Sequence, residues 1–132
     1  MGRAELDQSL AEFIPSAQGL EKELQELAEK ARSRKISLEE LQGGSFTISN
    51  QGGIGGLHFT PIIHQPEVAI LGLGQARLRP VVKKEKGPPV ARWIMPLALS
   101  YDHRVIDGAD TARFIRDLVQ VLENFSKSEV EQ

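Results

Sequence analysis

The chain has no cysteine among its 132 residues. Disulfides, thiolate metal sites and a cysteine nucleophile are therefore excluded, and nothing argues for an oxidising compartment. Long hydrophobic runs are missing as well. No stretch approaches the ~20 apolar residues of a membrane-spanning helix, and the opening Met1-Gly2-Arg3-Ala4-Glu5-Leu6-Asp7 contains no apolar signal region. No membrane partner is expected, and the default location is the cytoplasm, or the mitochondrial matrix in a eukaryote. An excess of positive charge is also absent. The formal net charge is −2, which gives no general attraction to nucleic acid. The one basic cluster, Lys83, Lys84 and Lys86, is broken by Glu85 and Gly87 and reads as a hairpin tip. The three histidines, His58, His64 and His103, lack the close helical spacing of a zinc-hydrolase motif, so no metal is expected.

What is present, 40% hydrophobic and 26% charged residues, is the profile of one soluble globular domain with one core. Residues 1–18 are weakly patterned, and Pro15 to Gly19 breaks any helix attempted there. From Leu20 the apolar positions Leu20, Leu24, Leu27, Ala28 and Ala31 fall on one helical stripe ending near Ser33. Ser37-Leu38-Glu39-Glu40 fits a capping box, which predicts a short second helix to about Leu41 that Gly43-Gly44 ends. Ser45 to Ser49 alternates polar with apolar as a half-buried strand does. Gly52-Gly53-Ile54-Gly55-Gly56 fits neither the dinucleotide fingerprint nor a P-loop, and reads as a loop that turns sharply and packs closely. Val68 to Gly74 reads as a buried strand and Ala76 to Lys83 as its continuation or neighbour. Lys84 to Pro89 is then a turn. Trp93 to Tyr101 reads as another buried strand despite Pro96. After Gly108, residues Ala112, Ile115, Leu118, Val119, Leu122 and Phe125 recur at helical spacing, and the tail from Ser126 is polar. Strands with helices in front and behind indicate an α/β or α+β sandwich.

The junction Ser100-Tyr101-Asp102-His103-Arg104-Val105-Ile106-Asp107-Gly108 places a histidine, bracketed by carboxylates, at a strand's C-terminal end, where α/β proteins set their ligands and reactive groups. His103 reads as a general base, since an imidazole titrates near pH ~6.5, or as a solvated loop residue. Asp107 reads either as part of that site or as the N-cap of the following helix. Arg104 has Asp102, Asp107 or a distant carboxylate to pair with. Ser49, at a strand end before Asn50-Gln51-Gly52, is a turn former or a hydroxyl donor.

The junction resembles the Asp-His-Arg-x-x-Asp-Gly signature of the dihydrolipoamide acyltransferases, the acyl-carrying components of the 2-oxo acid dehydrogenase complexes, with every fixed position present. Upstream, in the family's order, Leu41 to Gly52 resembles its Gly-Gly-Thr-Phe-Thr-Ile-Ser-Asn-x-Gly stretch. Phe59-Thr60-Pro61-Ile62-Ile63 and Pro66 to Gly72 resemble the stretch after it. The resemblance runs from about Gly19 to Phe125, leaving residues 1–18 as an N-terminal segment and 126–132 as a tail. It implies a chloramphenicol acetyltransferase-like fold with a mixed β-sheet and flanking helices, assembled as trimers that build larger cores. It implies that an acyl group moves between coenzyme A and a lipoyl thiol carried by another domain. His103 would be the general base, Ser49 the oxyanion-stabilising hydroxyl, and Asp107 a group for orientation and support, with Asp102 and Arg104 in supporting roles. His103 and Ser49 would come from neighbouring subunits lining one channel. The implied partners are a 2-oxo acid decarboxylase and a lipoamide dehydrogenase.

The match is to the C-terminal part of the family's catalytic core. No lipoyl-lysine motif is visible, and Phe13-Ile14-Pro15-Ser16-Ala17 stands where the family continues a buried strand. A partial core would leave sheet edges and apolar faces for oligomerisation to cover. Two expectations follow: an acyltransferase, or a catalytically silent assembly module that keeps the oligomer-forming half. The acyl group is not legible in these residues.

Overall fold

The structure, a computed structural model, describes residues 17–82 and 87–125. The expectations for the basic hairpin tip and the polar tail fall outside them, as does most of the weakly patterned start; Ala17, Gln18 and Gly19, expected to break a helix, instead form its first turn. No helix among the described residues is long and apolar enough to cross a membrane. Backbone contacts mark out two compact units, residues 44–119 and, among those described, 17–43 with 120–125.

In the second of these, helix α1 (Ala17–Arg32) carries the apolar stripe anticipated from its spacing. The stripe is only partly covered: Leu27 and Ala28 are half-buried, while Leu20 and Leu24 stand open to solvent. The capping box forms in both directions. The Ser37 N–H donates to Glu40 Oε2 at 2.9 Å and the Glu40 N–H donates to Ser37 Oγ at 3.2 Å. The element it starts is a single 3₁₀ turn, Glu39–Leu41, and not the anticipated α-helix. Three residues satisfy only one turn of hydrogen bonds before the chain leaves through Gly43 at φ +83°. Lys30 Nζ also reaches Glu40 at 2.6 Å. That ammonium, with the Ser37 bonds, draws the Glu40 carboxyl down to about 2.

The larger unit is built on a three-stranded mixed sheet in the order β1 (Thr47–Asn50), β2 (Ala69–Leu73), β5 (Leu97–Tyr101). β1 runs parallel to β2, and β5 runs antiparallel to it. Being central, β2 is covered on both faces, which its unbroken apolar run requires. Ala69, Ile70 and Leu71 are its buried side chains, and the last two each contribute ~1.5–3 kcal/mol of burial. Between them in sequence, β3 (Arg77–Val81) and β4 (Val90–Ile94) form a separate antiparallel ribbon. This divides the anticipated Trp93–Tyr101 strand in two. The break falls at Met95-Pro96, because Pro96 has no N–H for a ladder, and the chain crosses there from one sheet to the other. Trp93, read as buried, lies on the ribbon and is 69% exposed. Helix α2 (Gly108–Asn124) follows β5. Of its anticipated core stripe, Ile115, Leu118 and Val119 are half-buried and Ala112 and Leu122 are exposed, while Phe114 turns to Phe46 with ring centroids 6.1 Å apart. These mixed strands and helices make an α+β fold.

Candidate active site

His103 sits in the turn that joins β5 to α2. The turn is determined locally. The Asp102 N–H extends the β5 ladder by donating to Val68 O at 2.8 Å, and the Asp102 carbonyl accepts from the N–H groups of Val105 and Ile106, both at 3.0 Å. The Asp102 carboxylate accepts from the Arg104 N–H at 3.0 Å and from its Nε at 2.9 Å, with a further bond from Nη2. Of the three partners open to Arg104, Asp102 is the one taken. The guanidinium holds the Asp102 carboxyl at about 2, well below the usual carboxylate range, and Asp102 in turn raises Arg104. Asp107 is the N-cap of α2: its Oδ1 accepts from the Asp110 N–H at 2.9 Å, and its carbonyl accepts from the N–H and hydroxyl of Thr111.

Both carboxylates that bracket His103 are therefore engaged with the backbone or with arginine. Among the described residues neither imidazole nitrogen has a hydrogen-bond partner. The ring lies exposed against Tyr101, with centroids 5.7 Å apart and planes inclined by 37°.

Ser49 is half-buried on β1. Its register partner on β2 is Gly72, which pairs in turn with Ala98 of β5. Directly opposed residues share a face, so the hydroxyl lies on the side of the sheet where a Cβ on Gly72 would come within 2.8 Å of the Phe59 ring. The loops here are stitched together from remote segments. Gln51 N donates to Leu73 O, Gln75 N to Gly56 O and Gly74 N to Pro96 O, at 2.7–3.0 Å. Around them lies an open cavity of about 280 Å³ lined by Leu57, His58, Phe59, Thr60, Gly72, Gly74, Pro96, Leu97 and Ala98. Gly74 is required there, because a Cβ would run into the Leu57 carbonyl oxygen. No sequence signal marks the cavity, since its wall comes from three separate stretches.

The register places Ser49 and His103 at different ends of the sheet. Tyr101 is three positions along β5 from Ala98 and two strands across from β1. At ~3.3 Å per residue and ~4.8 Å per strand, its Cα is roughly 14 Å from that of Ser49, and the chain continues past Tyr101 to His103. One chain brings His103, Asp102, Arg104 and Asp107 together and leaves Ser49 apart.

Among the described residues no group of three or more His, Asp or Glu side chains is arranged to hold a metal ion.

Comparison with known proteins bears on this arrangement. Residues 15–129 match the family model of the 2-oxoacid dehydrogenases acyltransferase catalytic domain. A dihydrolipoyllysine-residue acetyltransferase component of the pyruvate dehydrogenase complex from Haemophilus influenzae is 52% identical over 103 residues, covering 78% of this chain and 18% of that protein. Among solved structures, a dihydrolipoamide acetyltransferase from Azotobacter vinelandii superposes with a TM-score of 0.75 at 51% identity, over 80% of this chain and 43% of that one. That structure served to investigate the role of a serine, a histidine and an asparagine in the catalytic mechanism. Its histidine and asparagine are four positions apart, the spacing that His103 and Asp107 have here. The cubic core of a pyruvate dehydrogenase multienzyme complex superposes with a TM-score of 0.72 at 50% identity, over 78% of this chain and 42% of that one. The chain thus spans under a fifth of the Haemophilus relative and under half of the two solved structures. It belongs to the family of 2-oxo acid dehydrogenase acyltransferase catalytic domains, with the fold of their cores.

Proposed function

We propose that this chain moves an acyl group between coenzyme A and a dihydrolipoyl thiol within a 2-oxo acid dehydrogenase complex. The observation that carries this reading is the His103 turn. The whole Asp102–Gly108 motif is present, folded so that the imidazole is open to a substrate while its neighbours' charges are tied down. His103 takes the proton of the attacking thiol as its sulfur bonds to the thioester carbon. The Ser49 hydroxyl donates to the resulting oxyanion. The intermediate then collapses, and the departing thiolate recovers the proton from His103. Proton transfer of this kind contributes ~10²–10⁴ in rate, and one aimed oxyanion donor ~10²–10³. Asp107 supports the turn as a cap and takes no proton.

The separation of Ser49 from His103 supports a site shared between copies of the chain, His103 from one and Ser49 from the next. The outer edge of β1, unpaired among the described residues, and exposed Leu24, Leu78 and Trp93 are consistent with homotrimers or larger cores. The partners in this reading are the decarboxylase that loads the lipoyl arm and the dehydrogenase that reoxidises it, in the cytoplasm or mitochondrial matrix. The same exposed surfaces favour a second reading, an assembly module without activity of its own.

The test is acetyl transfer from acetyl-CoA to dihydrolipoamide. A wild-type chain that transfers and a His103→Ala variant that does not support the first reading; a folded, inactive wild-type oligomer supports the second.

A further inference from the structure

A histidine that abstracts a proton needs its ring held, and in hydrolase triads a carboxylate does this by accepting from the second ring nitrogen. Neither flanking carboxylate bonds to the imidazole here. Asp102 is bound through both oxygens to Arg104, and Asp107 Oδ1 caps α2. The contact the imidazole does make is with the ring of Tyr101, at 5.7 Å and 37°.

We infer that Tyr101 is the positioning residue of His103, fixing the direction of its imidazole through ring contact where a triad would use a carboxylate. The inference rests on the reading of His103 as the base. Tyr101 is suited to it because it is held at both ends. Its backbone closes the β5 ladder opposite buried Ala69, and its hydroxyl lies 3.6 Å from where a Gly108 Cβ would be, at the start of α2. The ring therefore spans from the last residue of β5 to the first turn of α2, under the turn that carries His103. A tilted aromatic pair at this separation is attractive and directional. It constrains the orientation of the imidazole while leaving both nitrogens free to exchange a proton with substrate. The contact belongs to the ring, so the hydroxyl is dispensable.

Two readouts test this on the whole chain. The His103 ring protons, assigned by their loss in His103→Ala, report the contact directly in the NMR spectrum. They shift in Tyr101→Leu and keep their wild-type position in Tyr101→Phe. In the transfer assay Tyr101→Leu lowers kcat about tenfold or more with KM for acetyl-CoA unchanged, because misaiming a base costs rate and not affinity. Tyr101→Phe restores kcat. His103 resonances that do not move in Tyr101→Leu overturn the contact. Resonances that move with kcat unchanged overturn the positioning role. A wild-type chain without activity overturns the acyl-transfer reading alone, and the resonance comparison still decides whether Tyr101 holds the ring.

Discussion

The two ends of the three-stranded sheet are built in opposite ways. At the His103 end, apart from the Asp102 N–H that extends the ladder to Val68, the defining hydrogen bonds are short in sequence: Arg104 to Asp102, Ile106 to Asp102, Asp110 to Asp107. At the Ser49 end bonds between remote residues, Gln51 to Leu73, Gln75 to Gly56 and Gly74 to Pro96, hold the segments together, and glycines let them meet. The first end is a local turn whose shape follows from its own side chains. The second exists only once the strands have assembled. In the proposed reading each supplies one of the two groups that acyl transfer needs, and the register keeps them apart within one chain.

Substitutions at the two ends should therefore fail differently. The largest effect is expected from His103→Ala, a loss of transfer of ~10²–10⁴ with the melting temperature unchanged, because the exposed ring contributes little packing. Ser49→Ala should lower kcat by ~10²–10³ with KM for acetyl-CoA retained. Both are read by steady-state kinetics alongside thermal melting.

The next effect is on stability. Gly74→Ala forces a methyl group against the Leu57 carbonyl and should destabilise the chain by ~1–3 kcal/mol in denaturant unfolding. At the other end Asp107→Ala removes the α2 cap at a cost of ~1 kcal/mol, whereas Asp107→Asn, which caps equally well, should melt with the wild type. If Gly74→Ala proved silent while Asp107→Ala unfolded the chain, the contrast between a packed end and a capped end would be reversed.

The smallest effect is one of pH. Arg104 holds Asp102 at about 2 in the folded chain, below an ordinary carboxyl near ~3.9. The stabilisation this gives is complete above pH ~4 and is lost as pH falls through about 2. Protection of the Val105 and Ile106 amides, which donate to the Asp102 carbonyl, should fall relative to their intrinsic exchange rates across that window and not above it.

The same contrast explains what could be read from the residues alone. The Ser37–Glu40 capping box and the cap role open to Asp107 depend on partners within four positions, and the folded chain agrees with them. The division at Met95-Pro96 was not legible, because an apolar run looks alike whether it stays in one sheet or crosses to another. Nor was the Phe59–Gly72 approach that roofs the cavity, or the distance from Ser49 to His103, since both are set by register between strands far apart in sequence. Trp93 was misread for the same reason: apolar character does not say which sheet a residue will join.

The claim that the site is completed between copies is tested most directly by coexpressing His103→Ala with Ser49→Ala and assaying the mixed oligomer. Each variant alone lacks one group at every site. In a mixed assembly, some sites combine the intact His103 of one copy with the intact Ser49 of another, and transfer should reappear well above either variant alone. Mixed oligomers no more active than the separate variants would contradict the account.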